Sequence, residues 1–122
     1  MPSLPTLRAR GNYGENVAAA FLRRHGYRVL CRNFLVDQGE IDLVCRLGEL
    51  LVFVEVRSRA GLVAGTPAES IDPRKQDALR AAAEVYLRLF DHPPVSYRFD
   101  AVEVLLREGA IPGCTLITDL FA

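Results

Sequence analysis

The sequence predicts an α/β fold, a central mixed sheet of four to five strands flanked by helices in the order αβββαβ(β). Two segments repeat apolar residues at helical spacing. Four or five short runs are rich in Val, Leu, Ile and Phe and are bounded by Gly, Pro and Asp. No repeat, low-complexity tract or linker divides the 122 residues, so a single domain over 11–122 follows a flexible tail at 1–10.

Residues 12–25 read as the first helix. Val17, Ala18, Phe21 and Leu22 form its apolar stripe, Asn12 suits the N-cap with Glu15 at N3, and Gly26 marks the stop. Strand-like runs follow at 27–34, 41–46 and 50–57. The third is nearly all apolar apart from Glu55, as expected of a central strand covered on both faces. Residues 58–71 read as a loop. Asp72-Pro73 then opens a second helix running to about residue 90, where Pro93 and Pro94 follow. A fourth strand is expected at 97–105 and a short fifth at 115–118.

Apolar residues make up 50% of the chain and charged residues 25%, which excludes a disordered or collagen-like chain. No apolar run approaches the roughly 20 residues of a membrane helix. The first ten residues lack the apolar stretch of a secretory signal, so a cytoplasmic protein with no membrane partner is expected. Cys31, Cys45 and Cys114 are odd in number and widely spaced, which suits buried free thiols. The net charge of zero hides an asymmetry, because six arginines face one acid up to residue 32 while nine basic and fourteen acidic residues follow. Arg8, Arg10, Arg23 and Arg24 are the expected phosphate-contacting residues. A solvated helix face is the simpler reading of the same charges.

The informative feature is acid where a core strand should be apolar. Leu47-Gly48-Glu49-Leu50 suits a two-residue hairpin with glycine at its first central position. With Leu47 facing Leu50, continuing the ladder outward puts Asp42 opposite Glu55 and Glu40 opposite Arg57. Opposed side chains share a face with Cβ atoms about 5 Å apart, so the two carboxylates must share a proton or a cation. Glu15 and Lys75 each lean toward the core on their helices, at i+3, i+4 and i+7 from apolar residues. Oxygen ligands without His or thiolate suit Mg²⁺ or Mn²⁺, ions that support phosphodiester hydrolysis. Simpler readings stand beside these. Glu15 could close a capping box, Arg57 could neutralise the acids, and Lys75 could be solvated.

The stretches G-E-I-D-L-V (39–44) and L-V-F-V-E-V-R-S-R (51–59) resemble the bipartite signature of the PD-(D/E)xK, restriction-endonuclease-like nucleases. With G-N-Y-G-E (11–15), K-Q (75–76) and R-F-D (98–100), the chain is similar to the YraN-like family of uncharacterised bacterial proteins, themselves similar to Holliday-junction resolvases. The resemblance implies a restriction-endonuclease-like fold and a Mg²⁺- or Mn²⁺-dependent endonuclease acting on DNA, branched or otherwise structured. It implies Asp42 and Glu55 as metal ligands, and Glu15, Asp42, Glu55 and Arg57 as the catalytic set. Lys75 and Glu40 are auxiliary candidates, and a homodimer is expected by analogy. Arg57 stands where the superfamily has a lysine, and a guanidinium cannot accept a proton at neutral pH. The alternative is therefore a nucleic-acid-binding module on the nuclease fold with little or no turnover.

Overall fold

A computed structural model describes residues 7–60, 71–89 and 96–121. The chain runs α1 (Leu7–Arg24), β1 (Arg28–Val36), β2 (Gly39–Leu47), β3 (Leu50–Ala60), α2 (Pro73–Leu89), β4 (Tyr97–Leu106) and β5 (Gly113–Ile117). The strands form one sheet in the order β1-β2-β3-β4-β5. Only β3 and β4 are parallel. Parallel neighbours need a long crossover, and α2 lies within it. This is the expected α/β, restriction-endonuclease-like architecture, with the fifth strand present and a helix on each face of a mixed sheet.

Alternation along β3 builds the two cores. Val52 and Val54 pack with Leu43 against Ala18, Ala19 and Leu22 of α1. Leu51 and Phe53 point the other way, toward Leu79, Ala82 and Tyr86 of α2. Phe53 meets the rings of Tyr86, Tyr97 and Phe99 at centroid distances of 5.8, 5.9 and 5.4 Å. The β2–β3 hairpin keeps the expected register, from Leu47–Leu50 to Leu43–Val54. Gly48 has φ +61° while Glu49 does not share the positive φ, as a type II′ turn requires.

Helix ends follow local chemistry. Gly26, at φ +87°, closes α1 in a Schellman motif, donating to Arg23 O while Tyr27 N–H donates to Leu22 O. Asp72 caps α2 as expected, its Oδ1 accepting from Lys75 N–H at 2.9 Å. The other end of α1 departs from expectation. The helix begins at Leu7, so Asn12 lies inside it and the capping box with Glu15 does not form. Of the residues expected as a tail, 7–10 belong to α1 and 1–6 lie outside the described residues. Likewise β3 runs on to Ala60, because its last residues pair with β4, up to Ala60 with Leu106. The remainder of the expected loop, 61–70, lies outside the described residues. All three cysteines are free, with Cys45 buried and Cys31 and Cys114 only partly so.

A buried acid fastens β4 to its surroundings. Asp100, fully buried, accepts from Arg98 Nε at 2.7 Å, Arg98 Nη2 at 2.9 Å, Tyr27 Oη at 3.1 Å and Asp119 N–H at 2.9 Å. The cluster joins the exit of α1, the core strand β4 and the segment after β5. Burial, then the nearby Asp100 charge, pushes the Tyr27 phenol above its ordinary value. Asp100→Ala leaves Arg98 and Tyr27 without their shared acceptor and should cost about 3 kcal/mol in urea unfolding. A loss under about 1 kcal/mol would show that the cluster contributes little to stability.

Candidate active site

The β2–β3 ladder ends at Leu43–Val54, and there the strands part. From this point β2 continues toward Gly39 paired with β1, and β3 continues toward Ala60 paired with β4. The fork coincides with a break in alternation. Leu43 faces α1 and Val44 faces α2, yet Ile41 also faces α2, so the side-chain pattern slips at Asp42. The facing stretch of β1 contains Asn33 in the left-handed region at φ +54°, a conformation that Asn tolerates better than most residues.

Asp42 and Glu55 meet in this fork. The Val56 N–H donates to Asp42 Oδ2 at 2.8 Å, so the carboxylate supplies an acceptor just past the end of the ladder. Of the neighbouring acids, Glu55 acts most strongly on Asp42 through its charge. Burial, reinforced first by the Glu55 charge and further by Glu40 and Glu15, pushes the Asp42 carboxyl up to about 7. Glu55 is 4% exposed, and burial raises it too, against the opposing pull of Lys75 and then Arg57. Its Oε2 is buried with no hydrogen-bond partner. Two acids therefore face each other with one oxygen unsatisfied, a costly arrangement without a proton or cation.

The helices contribute from opposite faces. Glu15 on α1 is buried, and its Oε1 accepts from Arg32 Nε and Asn33 Nδ2, both at 3.0 Å. It pins the irregular part of β1 while its charge still reaches Asp42. From α2, Lys75 Nζ lies 3.5 Å from Glu55 Oε1. The expected Glu40–Arg57 pairing does not form, because the strands have already separated. Glu40 sits opposite Leu35 on β1 and Arg57 opposite Glu103 on β4. Of the four arginines expected to contact phosphate, two can be placed. Arg23 and Arg24 are exposed in the last turn of α1. That end lies beside the hairpin turn, where Gly26 approaches Leu47, about 16 Å along β2 from Asp42. Arg8 and Arg10 belong to α1, but their side chains lie outside the described residues.

Sequence reasoning missed Arg32, Asn33 and Glu103. Asn33, a polar turn-former in the middle of an apolar strand run, was a readable signal for the irregularity. Glu103 lies 3.7 Å from Arg59 Nε through a buried Oε2 that has no hydrogen bond. Its approach to β3 depends on the parallel pairing, which local patterns do not reveal.

The residues of the fork that could hold a hard divalent cation are Asp42 and Glu55. Among the described residues no three His, Cys, Asp or Glu side chains form a ready cage. Mg²⁺ does not need one, since it is commonly held by one or two carboxylates together with waters and phosphate oxygens. The unsatisfied Glu55 Oε2 and the Asp42 carboxyl would supply such a donor pair.

The fold and the fork define a mixed-sheet α/β protein with an acidic pair, Glu55 buried and Asp42 half-buried, against a lysine. The chain belongs to the family described as "Uncharacterised protein family UPF0102", whose model matches residues 14–104. This agrees with the resemblance to the YraN-like family. A "UPF0102 protein" of Moorella thermoacetica is 45% identical over 117 residues, covering 95% of this chain and 98% of that protein. Another, from Symbiobacterium thermophilum, is 42% identical, with 91% and 94% covered. A third, from Syntrophomonas wolfei, is 41% identical, with 84% and 89% covered.

The raised Asp42 has a consequence for stability. The folded state holds the Asp42 proton up to about pH 7, whereas an ordinary Asp releases it near 3.8. Between those values the folded state binds more protons than the unfolded one, so rising pH removes stability, and the loss is complete above the folded value. Asp42→Asn keeps an acceptor for the Val56 amide without the charge. Without divalent ions, its stability relative to wild type should rise by about 2 kcal/mol between about pH 5 and pH 8. A difference independent of pH in urea unfolding would contradict the proton held by Asp42 beside Glu55.

Proposed function

We propose that this protein is a Mg²⁺- or Mn²⁺-dependent endonuclease hydrolysing DNA phosphodiesters, with branched DNA the first substrate to test. The observation that carries this reading is the Asp42–Glu55 pair at the fork, with Glu55 Oε2 buried and unsatisfied. Asp42 and Glu55 would hold the ion, which would polarise a phosphodiester and acidify water.

The protein's own groups support such a reaction in definite ways. Lys75 and then Arg57 oppose, without cancelling, the burial that raises Glu55. Asp42 is oriented by the Val56 amide. Glu15 steadies the β1 stretch beside the fork through Arg32 and Asn33. Arg57, next but one to Glu55 on β3 and half-buried, can engage a phosphate oxygen with a permanent charge. Its lasting protonation also favours a second reading, a DNA-binding module with little or no turnover, in which these residues hold the backbone without cleaving it.

Calorimetry should show Mn²⁺ binding to wild type and a loss of about tenfold or more in affinity for Asp42→Asn, since one of two carboxylate ligands is gone. Equal affinity in both proteins would remove the metal site. Arg57→Ala should weaken DNA binding and lower the salt dependence of the affinity by about one phosphate contact. The binding-module reading predicts salt-sensitive DNA binding that survives Glu55→Gln, with no cleavage under any divalent ion.

A further inference from the structure

We infer that Lys75, delivered by the first turn of α2, is the site's working ammonium, holding Glu55 in place and donating to water or a phosphate oxygen beside the ion. The inference rests on the metal-site reading above and assigns a role that Arg57 does not fill.

Three features of the structure lead to it. Lys75 Nζ lies 3.5 Å from Glu55 Oε1, and of the two cations acting on Glu55 its influence is the larger. Arg57, next but one to Glu55 on the same strand, is the lesser of those two influences and lies opposite Glu103 in the register of the β3–β4 ladder. The side chain of Lys75 is 41% exposed while that of Glu55 is 5% exposed. One ammonium therefore spans the boundary between the buried acid and solvent. An ammonium has three donors, and with one used on Glu55 two are left for an incoming ligand.

The placement of Lys75 is built in at two points. Asp72 Oδ1 accepts from the Lys75 backbone N–H, which fixes the residue in the first turn. Gly39 lets α2 come close to β2, because a Cβ there would meet Ala78 O at 2.9 Å. The helix that carries Lys75 is thus seated against the strand that carries Asp42. Arginine offers a planar, delocalised fork, whereas an ammonium is a compact point charge that fits beside a small ion.

Lys75 is the only lysine in the chain, so reductive ¹³C-methylation, which keeps the charge, labels it together with the α-amine. Adding Mn²⁺ should broaden the Lys75 methyl signal in wild type and leave it sharp in Asp42→Asn. A sharp Lys75 signal at a Mn²⁺ concentration where calorimetry shows binding lost in Asp42→Asn overturns the role of Lys75 while leaving the ion in place. Absence of Mn²⁺ binding overturns the metal site itself and this inference with it. In cleavage assays Lys75→Ala should lower kcat about 100-fold with KM little changed, and Lys75→Arg should recover part of the loss. A Lys75→Ala protein cleaving at the wild-type rate overturns the assignment.

Discussion

The parting of β2 and β3 beyond Leu43–Val54 is the constraint on which the rest depends. A continued ladder would have satisfied the backbone and left ordinary cross-strand pairs. Each strand instead turns to its outer neighbour, and the opening between them is occupied by carboxyl groups. Asp42 accepts the Val56 amide, so the backbone stays satisfied while a charge is drawn into a poorly solvated place. Glu55 follows on the α2 side of the neighbouring strand, because alternation along β3 carries it there after Leu51 and Phe53. Loss of water acts in the same direction on both, and at Asp42 the Glu55 charge adds to it.

The surrounding architecture keeps this unfavourable pair in position. On one side α1 packs through Ala18, Ala19 and Leu22, and its Glu15 ties down the irregular β1 stretch through Arg32 and Asn33. On the other, α2 packs through Leu79, Ala82 and Tyr86 and brings Lys75 to Glu55. The central strand β3 is held along its whole length by β4, which the Asp100 cluster fastens to the rest of the domain. A rigid sheet is what allows two acids to remain close when each would gain by moving apart.

Much of this was legible in the sequence. Gly48 in its turn sets the hairpin register, and that register aims Asp42 toward Glu55 one step beyond the last pair, Leu43–Val54. Gly26 and Asp72 marked helix ends that formed as expected, since capping depends on neighbours in sequence. The start of α1 was misplaced because Asn12 can cap a helix but need not, and the turns before it also adopt helix. The pairing of Glu40 with Arg57 failed for a different reason. It assumed an unbroken ladder, whereas competition from the outer strands ended the ladder at Leu43–Val54.

The order of elements, the acidic pair and the single lysine are properties of the chain itself, because periodicity, turn chemistry and composition act over a few residues. The tertiary structure decided which charges meet. It set Arg57 opposite Glu103 and sent Lys75 to Glu55, and it left Arg23 and Arg24 at the far end of the sheet. Those outcomes follow from how the crossover seats α2 and how the strands divide their hydrogen bonds. Both are settled by packing between segments distant in sequence, which no local pattern encodes.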